Sequence, residues 1–268
     1  MRTRATVWLI AALLGSVALT GCGRRGAAPP AASTTTTTTG PASTTTTTTV
    51  PVSTTVSTAP PTPAALGPYQ PLFPFDTAAA VDGWRRGAAA GGHEPWHLDA
   101  GQTAVAFARW LGYADVDTAT SVRNDRTGAH VGVGFPVEGG PGRTTTAAVV
   151  HLVRWGSGPD APWEVVGTDD TSFSVTAPAY GATVVSPVRV GGRITGVDEN
   201  IRVEVRSATS SSVVGAACCR PAGGEATPWS VTVSFAAPAG SLLVVSARTG
   251  GHLATVERFA VTAVRVRR

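Results

Sequence analysis

The sequence predicts an α+β domain over residues 68–175, followed by an all-β sandwich over residues 176–268. Apolar residues recur at helical spacing up to residue 111, and beyond it they alternate with period two. Short β-rich runs separated by turn residues fill the C-terminal part. The segment before residue 68 is so rich in threonine, proline and serine that it cannot form a core of its own.

The first 21 residues have the features of a bacterial signal peptide. Arg2 and Arg4 precede an apolar run over residues 7–19, which is too short to span a bilayer. The run ends in Leu19-Thr20-Gly21-Cys22, which resembles the bacterial lipobox. The resemblance implies cleavage before Cys22 and acylation of that residue by diacylglycerol and palmitate, giving a lipoprotein anchored outside the cytoplasmic membrane. The alternatives are an ordinary signal peptide with a chance cysteine and an uncleaved membrane anchor.

The overall charge argues against nucleic acid as a partner. The formal charge is +4, and removal of residues 1–21, which hold two arginines and no acidic residue, leaves +2. A chain this close to neutrality lacks the basic surface that binding to phosphates requires. No second apolar stretch of the sequence is long enough to cross a membrane.

Residues 22–67 are predicted to form a disordered tether. They contain two near-copies of a serine followed by six threonines, at residues 33–39 and 43–49. Such a composition buries too little apolar area to offset the entropy lost on ordering. Segments of this kind are often O-glycosylated, and we expect a spacer that reaches through the cell wall, with an untailored linker as the alternative.

Two helices are predicted at the start of the α+β domain. Asp76 is expected to cap the first helix, and Asp99 with Gln102 forms a capping-box pattern for the second. The first helix has Val81, Trp84 and Ala88 at helical spacing and ends before Gly91-Gly92. The second helix has one apolar face, formed by Ala104, Phe107, Ala108 and Leu111.

Four strands are predicted after the helices, at residues 115–123, 131–137, 147–153 and 163–167. The second strand alternates in polarity, so one face is expected to be buried and His130 is expected on the solvent side. The third is apolar on both faces, which is typical of a central strand. This order of elements is similar to that of NTF2-like and cystatin-like domains, at the level of the fold alone.

One segment, His93-Glu94-Pro95-Trp96-His97, satisfies the zinc-protease pattern H-E-x-x-H. That chemistry requires a continuous helix, so that His93 and His97 meet one zinc ion. Pro95 disfavours such a helix, and the capping pattern at Asp99 starts the next helix after His97. We therefore expect a polar loop between the helices with Trp96 docked on the core. A zinc hydrolase that uses His93 and His97 is the distant alternative.

Other candidate side chains have structural interpretations. His151 is expected to be a hydrogen-bonded histidine in the core rather than a ligand. Asp169-Asp170 is expected to cap a turn, with calcium binding as the alternative. Five tryptophans are expected in the core, and the alternative is that some of them line a cavity for an apolar small molecule. They are Trp84, Trp96, Trp110, Trp155 and Trp163.

Seven short β-rich runs in residues 176–268 predict an antiparallel sandwich of immunoglobulin-like type. The clearest alternation is that of Ile201, Val203 and Val205 with the charged residues between them. The runs are residues 182–185, 188–194, 201–207, 213–216, 229–235, 242–247 and 258–266.

Residues 186–192 (Ser-Pro-Val-Arg-Val-Gly-Gly) and 201–205 (Ile-Arg-Val-Glu-Val) resemble the bacterial spore germination immunoglobulin-like domain. Residues 229–235 and 259–266 match the last two strands of that family, whereas Val197 stands where the family tends to carry phenylalanine. The resemblance implies interaction with proteins or with the cell wall, and it implies no catalytic residues.

Cys218 and Cys219 lie in a predicted loop. Because Cys22 is expected to carry lipid, neither has a distant partner for a conventional internal disulfide. A bond between neighbouring cysteines requires a strained ring outside normal disulfide geometry, so a loop pair without an essential function is expected. The alternatives are a vicinal disulfide and a link to another chain.

These features together predict a non-catalytic cell-envelope lipoprotein, held at the membrane by the lipid on Cys22. Its domains are expected to bind an envelope protein or a cell-wall component without a cofactor, since no set of catalytic residues converges in the sequence. Two other classes stay open: a carrier or sensor with an apolar small molecule in the α+β domain, and a zinc hydrolase at the His93 segment.

Overall fold

The computed structural model describes residues 66–89, 94–140 and 142–268. The predicted signal peptide, Cys22 and nearly all of the predicted tether lie outside these residues, and so does His93. Within the described ranges, no helix is long and apolar enough to span a membrane.

The helices are α1 at Ala78–Ala89, a short 3-10 helix at Pro95–Leu98, and α2 at Ala100–Trp110. The predicted cap of α2 is confirmed, because Oδ1 of Asp99 accepts a hydrogen bond from the amide of Gln102 at 2.8 Å. The predicted cap of α1 is wrong by one residue. The amide of Ala80 donates to Oγ1 of Thr77 at 3.2 Å, and Asp76 accepts only from the Thr77 hydroxyl.

The first sheet contains β1 (Thr118–Asp125), β2 (Gly128–Pro136), β3 (Thr144–Arg154) and β4 (Trp163–Thr168). The strands are antiparallel in the order β1-β2-β3-β4, so β3 is an inner strand as predicted. The prediction that β2 buries one face is wrong, since all its residues except the two at its ends are buried. On the face expected to be exposed, Thr120 and Thr146 cover Gly132, and Asp169 covers His130.

The second sheet contains β5 (Ala182–Val184), β6 (Val188–Ser207), β7 (Val213–Val233), β8 (Leu242–Thr249) and β9 (Arg258–Val266), in the order β5-β9-β8-β6-β7. The fold class is therefore confirmed in its coarse form, an α+β part followed by a β part. Four of the predicted strands are merged into the long hairpin β6–β7. Its turn-forming residues lie opposite one another in an irregular stretch, where Asn200 pairs with Pro221 and Gly196 with Gly224.

One hydrophobic core joins the two sheets. The apolar face of α2 is fully buried against the first sheet, as predicted, and side chains of β8 and β9 complete the same cluster. Phe259, Val261 and Val244 are the main contributions from the second sheet. The amide of Val261 also donates to Oγ1 of Thr168 at 2.8 Å, which ties β9 to β4. The core therefore runs across the boundary that the sequence places between residues 175 and 176.

Candidate binding groove

A groove of about 670 Å³ lies between the outer side of α2 and strand β1, and it opens to solvent. Its apolar wall is formed by Val105 and Ala106 of α2 together with Ala119 and Val122 of β1. The polar residues that line it are Asp99, Gln102, Arg109 and Asp117, and Trp96 and Gly101 complete the lining. We call this feature the α2–β1 groove.

The groove follows from the way in which α2 packs. The helix buries its apolar face, including Val105, on the sheet, and Ala106 lies half-buried at the flank that faces β1. Gly101 allows the start of the helix to approach the strand closely. A Cβ atom at this position would lie 3.4 Å from Cβ of Ala119 and 3.2 Å from Oδ1 of Asp99.

Strand β1 is an open edge of the first sheet. Within the described residues it pairs with β2 alone, and Val122 is 54% exposed beside the groove. The opposite edge is covered, because the amide of Leu72 donates to the Val165 carbonyl at 3.0 Å and the amide of Val165 donates to Phe73 at 2.7 Å. The backbone of β1 is thus free to pair with another strand.

The polar lining of the groove carries more negative than positive charge. Asp99 and Asp117 are carboxylates on exposed residues, and Arg109 is the one cation among the lining residues. Oδ1 of Asp117 accepts from the Thr118 hydroxyl at 2.7 Å, which fixes its position at the start of β1. An extended segment with apolar and basic side chains is therefore complementary to the groove.

The described part of the H-E-x-x-H segment is not a continuous α-helix. Glu94 has a left-handed φ of 73°, and a 3-10 helix carries His97 to the start of α2. His97 is buried, and burial lowers its pKa. Its Nε2 lies 3.1 Å from Oε2 of Glu94, and its ring packs on those of Trp96 and Phe75 at 3.7 and 4.9 Å. Trp96 also stacks on Phe73 at 6.0 Å, as expected of a loop with Trp96 docked on the core.

The prediction that His130 is exposed is wrong. It is 8% exposed, and its Nδ1 donates to Oδ2 of Asp169 at 2.6 Å. The second imidazole, His151, stacks on it with ring centroids 4.5 Å apart and contacts the Thr127 carbonyl through Nε2 at 3.2 Å. His151 is therefore hydrogen-bonded as predicted, but it is half-buried rather than part of the core. Its partial burial lowers its pKa. Asp169 ties β2 to the chain after β4.

The arrangement of Thr127, His130 and Asp169 is similar to that of a nucleophile, a base and an orienting acid. Oγ1 of Thr127 lies 3.2 Å from Nε2 of His130. However, the Thr127 hydroxyl donates to Oδ1 of Asp125 at 2.6 Å, and the other carboxylate oxygen of Asp125 lies 3.3 Å from the same Nε2. Since the Thr127 hydroxyl donates its proton to Asp125, it does not donate that proton to Nε2 of His130. The geometry therefore stabilises the β1–β2 turn and does not activate Thr127.

The predicted tryptophans pack mainly against other side chains. Trp155 is buried beside Phe75, Trp110 stacks on Phe107 at 5.8 Å, and the guanidinium of Arg154 lies 4.4 Å above Trp163. Trp96 is the one member of the predicted set that lines the α2–β1 groove, and this groove is open rather than enclosed. The packing of these side chains does not favour a dry site for an apolar small molecule.

The prediction that Cys218 and Cys219 lie in a loop is wrong, because both are exposed residues of strand β7. Their Sγ atoms lie at bonding distance from each other. They line a second cleft, of about 520 Å³, together with Arg202, Arg248 and His252.

Sequence reasoning did not find the α2–β1 groove. The one signal was that Val105 and Ala106 extend the apolar surface of α2 beyond the predicted core face. Since no family model, curated protein or solved structure matches the chain, the candidate site is built from its geometry alone.

Proposed function

We propose that this chain is a lipid-anchored protein of the cell envelope that binds an extended segment of another envelope protein. The lipobox-like residues ending at Cys22 support acylation and export, and residues 186–192 support an immunoglobulin-like module of the spore germination type. The function is non-catalytic binding, and the α+β part carries the binding surface.

The observation that carries this proposal is the open edge of β1 beside an apolar groove. A partner segment that pairs with β1 gains main-chain hydrogen bonds, and its alternate side chains enter the space between the strand and α2. Ala106 and Val122 contact the apolar side chains of the segment, and the buried Val105 forms the floor of the groove. Asp99 and Asp117 favour lysine or arginine at the ends of the apolar stretch.

The binding test uses the full-length protein in detergent and a short fluorescent peptide that alternates valine and lysine. We expect saturable binding, and we expect Ala106→Arg to weaken it by about tenfold or more, since the new side chain fills the groove. Ala79→Arg, at an exposed position of α1, is the matched control and should bind as the parent does.

A second control distinguishes pairing of the peptide with β1 from nonspecific binding of the peptide. Methylation of alternate peptide amides removes donors from one edge of the peptide and leaves its side chains in place. Two such peptides, methylated on opposite edges, should therefore differ in affinity. Equal affinities, or equal binding by Ala106→Arg and the parent, would contradict the proposed mode of binding.

The anchoring proposal has its own test in cells of the host. Cys22→Ala should abolish incorporation of labelled palmitate and release the protein from the membrane fraction. Membrane retention of this variant with unchanged labelling would refute acylation at Cys22, whatever the result of the peptide experiment.

A further inference from the structure

Two exposed cysteines face a basic cleft on the second sheet. Cys218 and Cys219 of β7 line it from one side, and Arg202 of β6 and Arg248 of β8 line it from another. His252 lies in the loop 250–255, whose residues form another wall of the cleft. None of the described residues that line this cleft is acidic.

The two arginines are direct cross-strand partners in the β6–β8 register. Like charges at opposed positions repel each other and destabilise a sheet, and an anion between them offsets that repulsion. Nη1 of Arg248 donates to the Thr255 carbonyl at 3.1 Å, so its guanidinium is already oriented at the cleft. The pair therefore favours anionic ligands.

The loop 250–255 is held in place by side chains from both parts of the fold. The amide of Thr255 donates to Oδ2 of Asp115 at 2.9 Å. The amides of His252 and Leu253 both donate to Oε1 of Glu257 at 2.6 Å. The Glu257 carboxylate is thus engaged with the loop backbone and does not line the cleft.

We propose that Cys218 and Cys219 form a disulfide that exchanges with anionic low-molecular-weight thiols bound by Arg202 and Arg248. This inference goes beyond the binding function and does not depend on it. An external thiolate attacks one sulfur, the Cys218–Cys219 bond breaks, and its electron pair leaves on the other sulfur as a thiolate. A second external thiolate attacks the mixed disulfide, so two external thiols are oxidised to one disulfide and the cysteine pair is reduced. The arginines attract the attacking anion and stabilise the departing thiolate.

The test measures the rate at which the pair is reduced in the full-length protein. Mercaptoethanesulfonate is the anionic thiol and cysteamine the cationic one, each rate being divided by the thiolate concentration. Mass spectrometry of the peptide with Cys218 and Cys219 follows a gain of about 2 Da on reduction. We expect the anionic thiol to react about tenfold faster or more at low salt, with the advantage shrinking as salt is added.

Substitution of each arginine then shows whether it causes the preference for the anionic thiol. Arg202→Gln and Arg248→Gln should each bring the ratio of the two rates toward one. Arg189→Gln, at an exposed arginine of β6 that does not line the cleft, should leave it unchanged. Free thiols at both cysteines of the protein isolated without reductant would overturn the proposal. So would equal rates for the two thiols in the unaltered protein, a result that requires no variant to fold.

Discussion

His130 has a partner that the sequence pattern did not indicate. Its Nδ1 donates to Asp169 across 39 positions of the chain, and the imidazole itself is buried. We expect Asp169→Asn to lower the free energy of unfolding by about 1–2 kcal/mol, because it removes a charge-assisted hydrogen bond. Urea denaturation measures the change. Asp170→Asn, at the exposed neighbouring position, should stay within about 0.5 kcal/mol of the parent, and equal losses in both variants would contradict this role.

Glu164 is a fully buried carboxyl group in β4. Its Oε1 accepts the amide of Phe73 at 2.8 Å and its Oε2 accepts the amide of Phe75 at 3.1 Å. Burial is the largest influence on this group, and it raises the pKa of Glu164 well above the ordinary value. The residue thus holds the segment before α1 against the edge of β4.

The raised pKa of Glu164 predicts a pH dependence of stability. The folded state holds the proton more tightly than the unfolded chain, so the contribution is complete below the unfolded pKa of about 4.5. It is lost as the pH rises through the folded pKa. The free energy of unfolding of the parent, relative to that of Glu164→Gln, should therefore fall above about pH 4.5, by up to about 1.4 kcal/mol per pH unit. Chemical denaturation at a series of pH values measures this difference. If the free energies of unfolding of the parent and of Glu164→Gln change in parallel with pH, the raised pKa of Glu164 is refuted.

At the scale of elements, the helices were the most predictable part of the chain. The cap of α2 depends on two residues three positions apart, and its buried face depends on spacing within three turns. The cap and the buried face are both local features, so they can be predicted from the sequence pattern.

The sequence predicts four strands in place of the long hairpin β6–β7, because Asn200 and Pro221 are turn-forming residues. Their placement opposite each other, on an edge strand that tolerates proline, depends on pairing across the hairpin.

Close packing of β2 on β3 requires a glycine at one position. A Cβ atom at Gly134 would overlap the carbonyl oxygen of Thr145, where the register of the two strands shifts. We expect Gly134→Ala to lower the free energy of unfolding by at least about 2 kcal/mol. Gly87→Ala is the matched control: it lies in α1 with nothing within 4 Å of the added atom and should raise stability by up to about 1 kcal/mol. Thermal unfolding of the two variants measures the difference. Similar shifts in Tm would contradict the close packing of β2 on β3 at Gly134.

For the whole molecule, the shared core predicts one cooperative unfolding unit. Phe259 of β9 is buried in the cluster that α2 and the first sheet build. Phe259→Ala should lower stability by about 3–5 kcal/mol in a single transition, detected alike by tryptophan fluorescence and by circular dichroism. Leu253→Ala is the control, since Leu253 is 73% exposed and its loss should change little. Separate transitions for the two sheets would contradict a single unit.

A fragment of residues 66–175 tests whether the α+β part can form its core without the second sheet. It lacks the side chains of β8 and β9 that complete the cluster, so a large apolar surface would face water. We expect no cooperative thermal transition and rapid proteolysis. A sharp transition in this fragment would show that the α+β part folds independently.

Only part of the candidate site could be predicted from the sequence. Trp96 was expected to dock on the core, and the cap at Asp99 placed the start of α2 correctly. The open edge of β1 could not be predicted, because it depends on which strand has no second neighbour in the sheet. The residues of the groove also come from two elements whose contact is set by packing, and neither element shows it by itself.

The sequence by itself determined the class of the fold and most of its elements, since periodicity, caps and composition act within a few residues. The anchor at Cys22 stays a prediction. The tertiary structure decided which charged groups pair, as with His130 and Asp169, and which are buried, as with Glu164. It also decided that the two sheets share one core and that β1 is left open. These features depend on contacts between distant positions, whose free energy is gained only when the sheets are assembled.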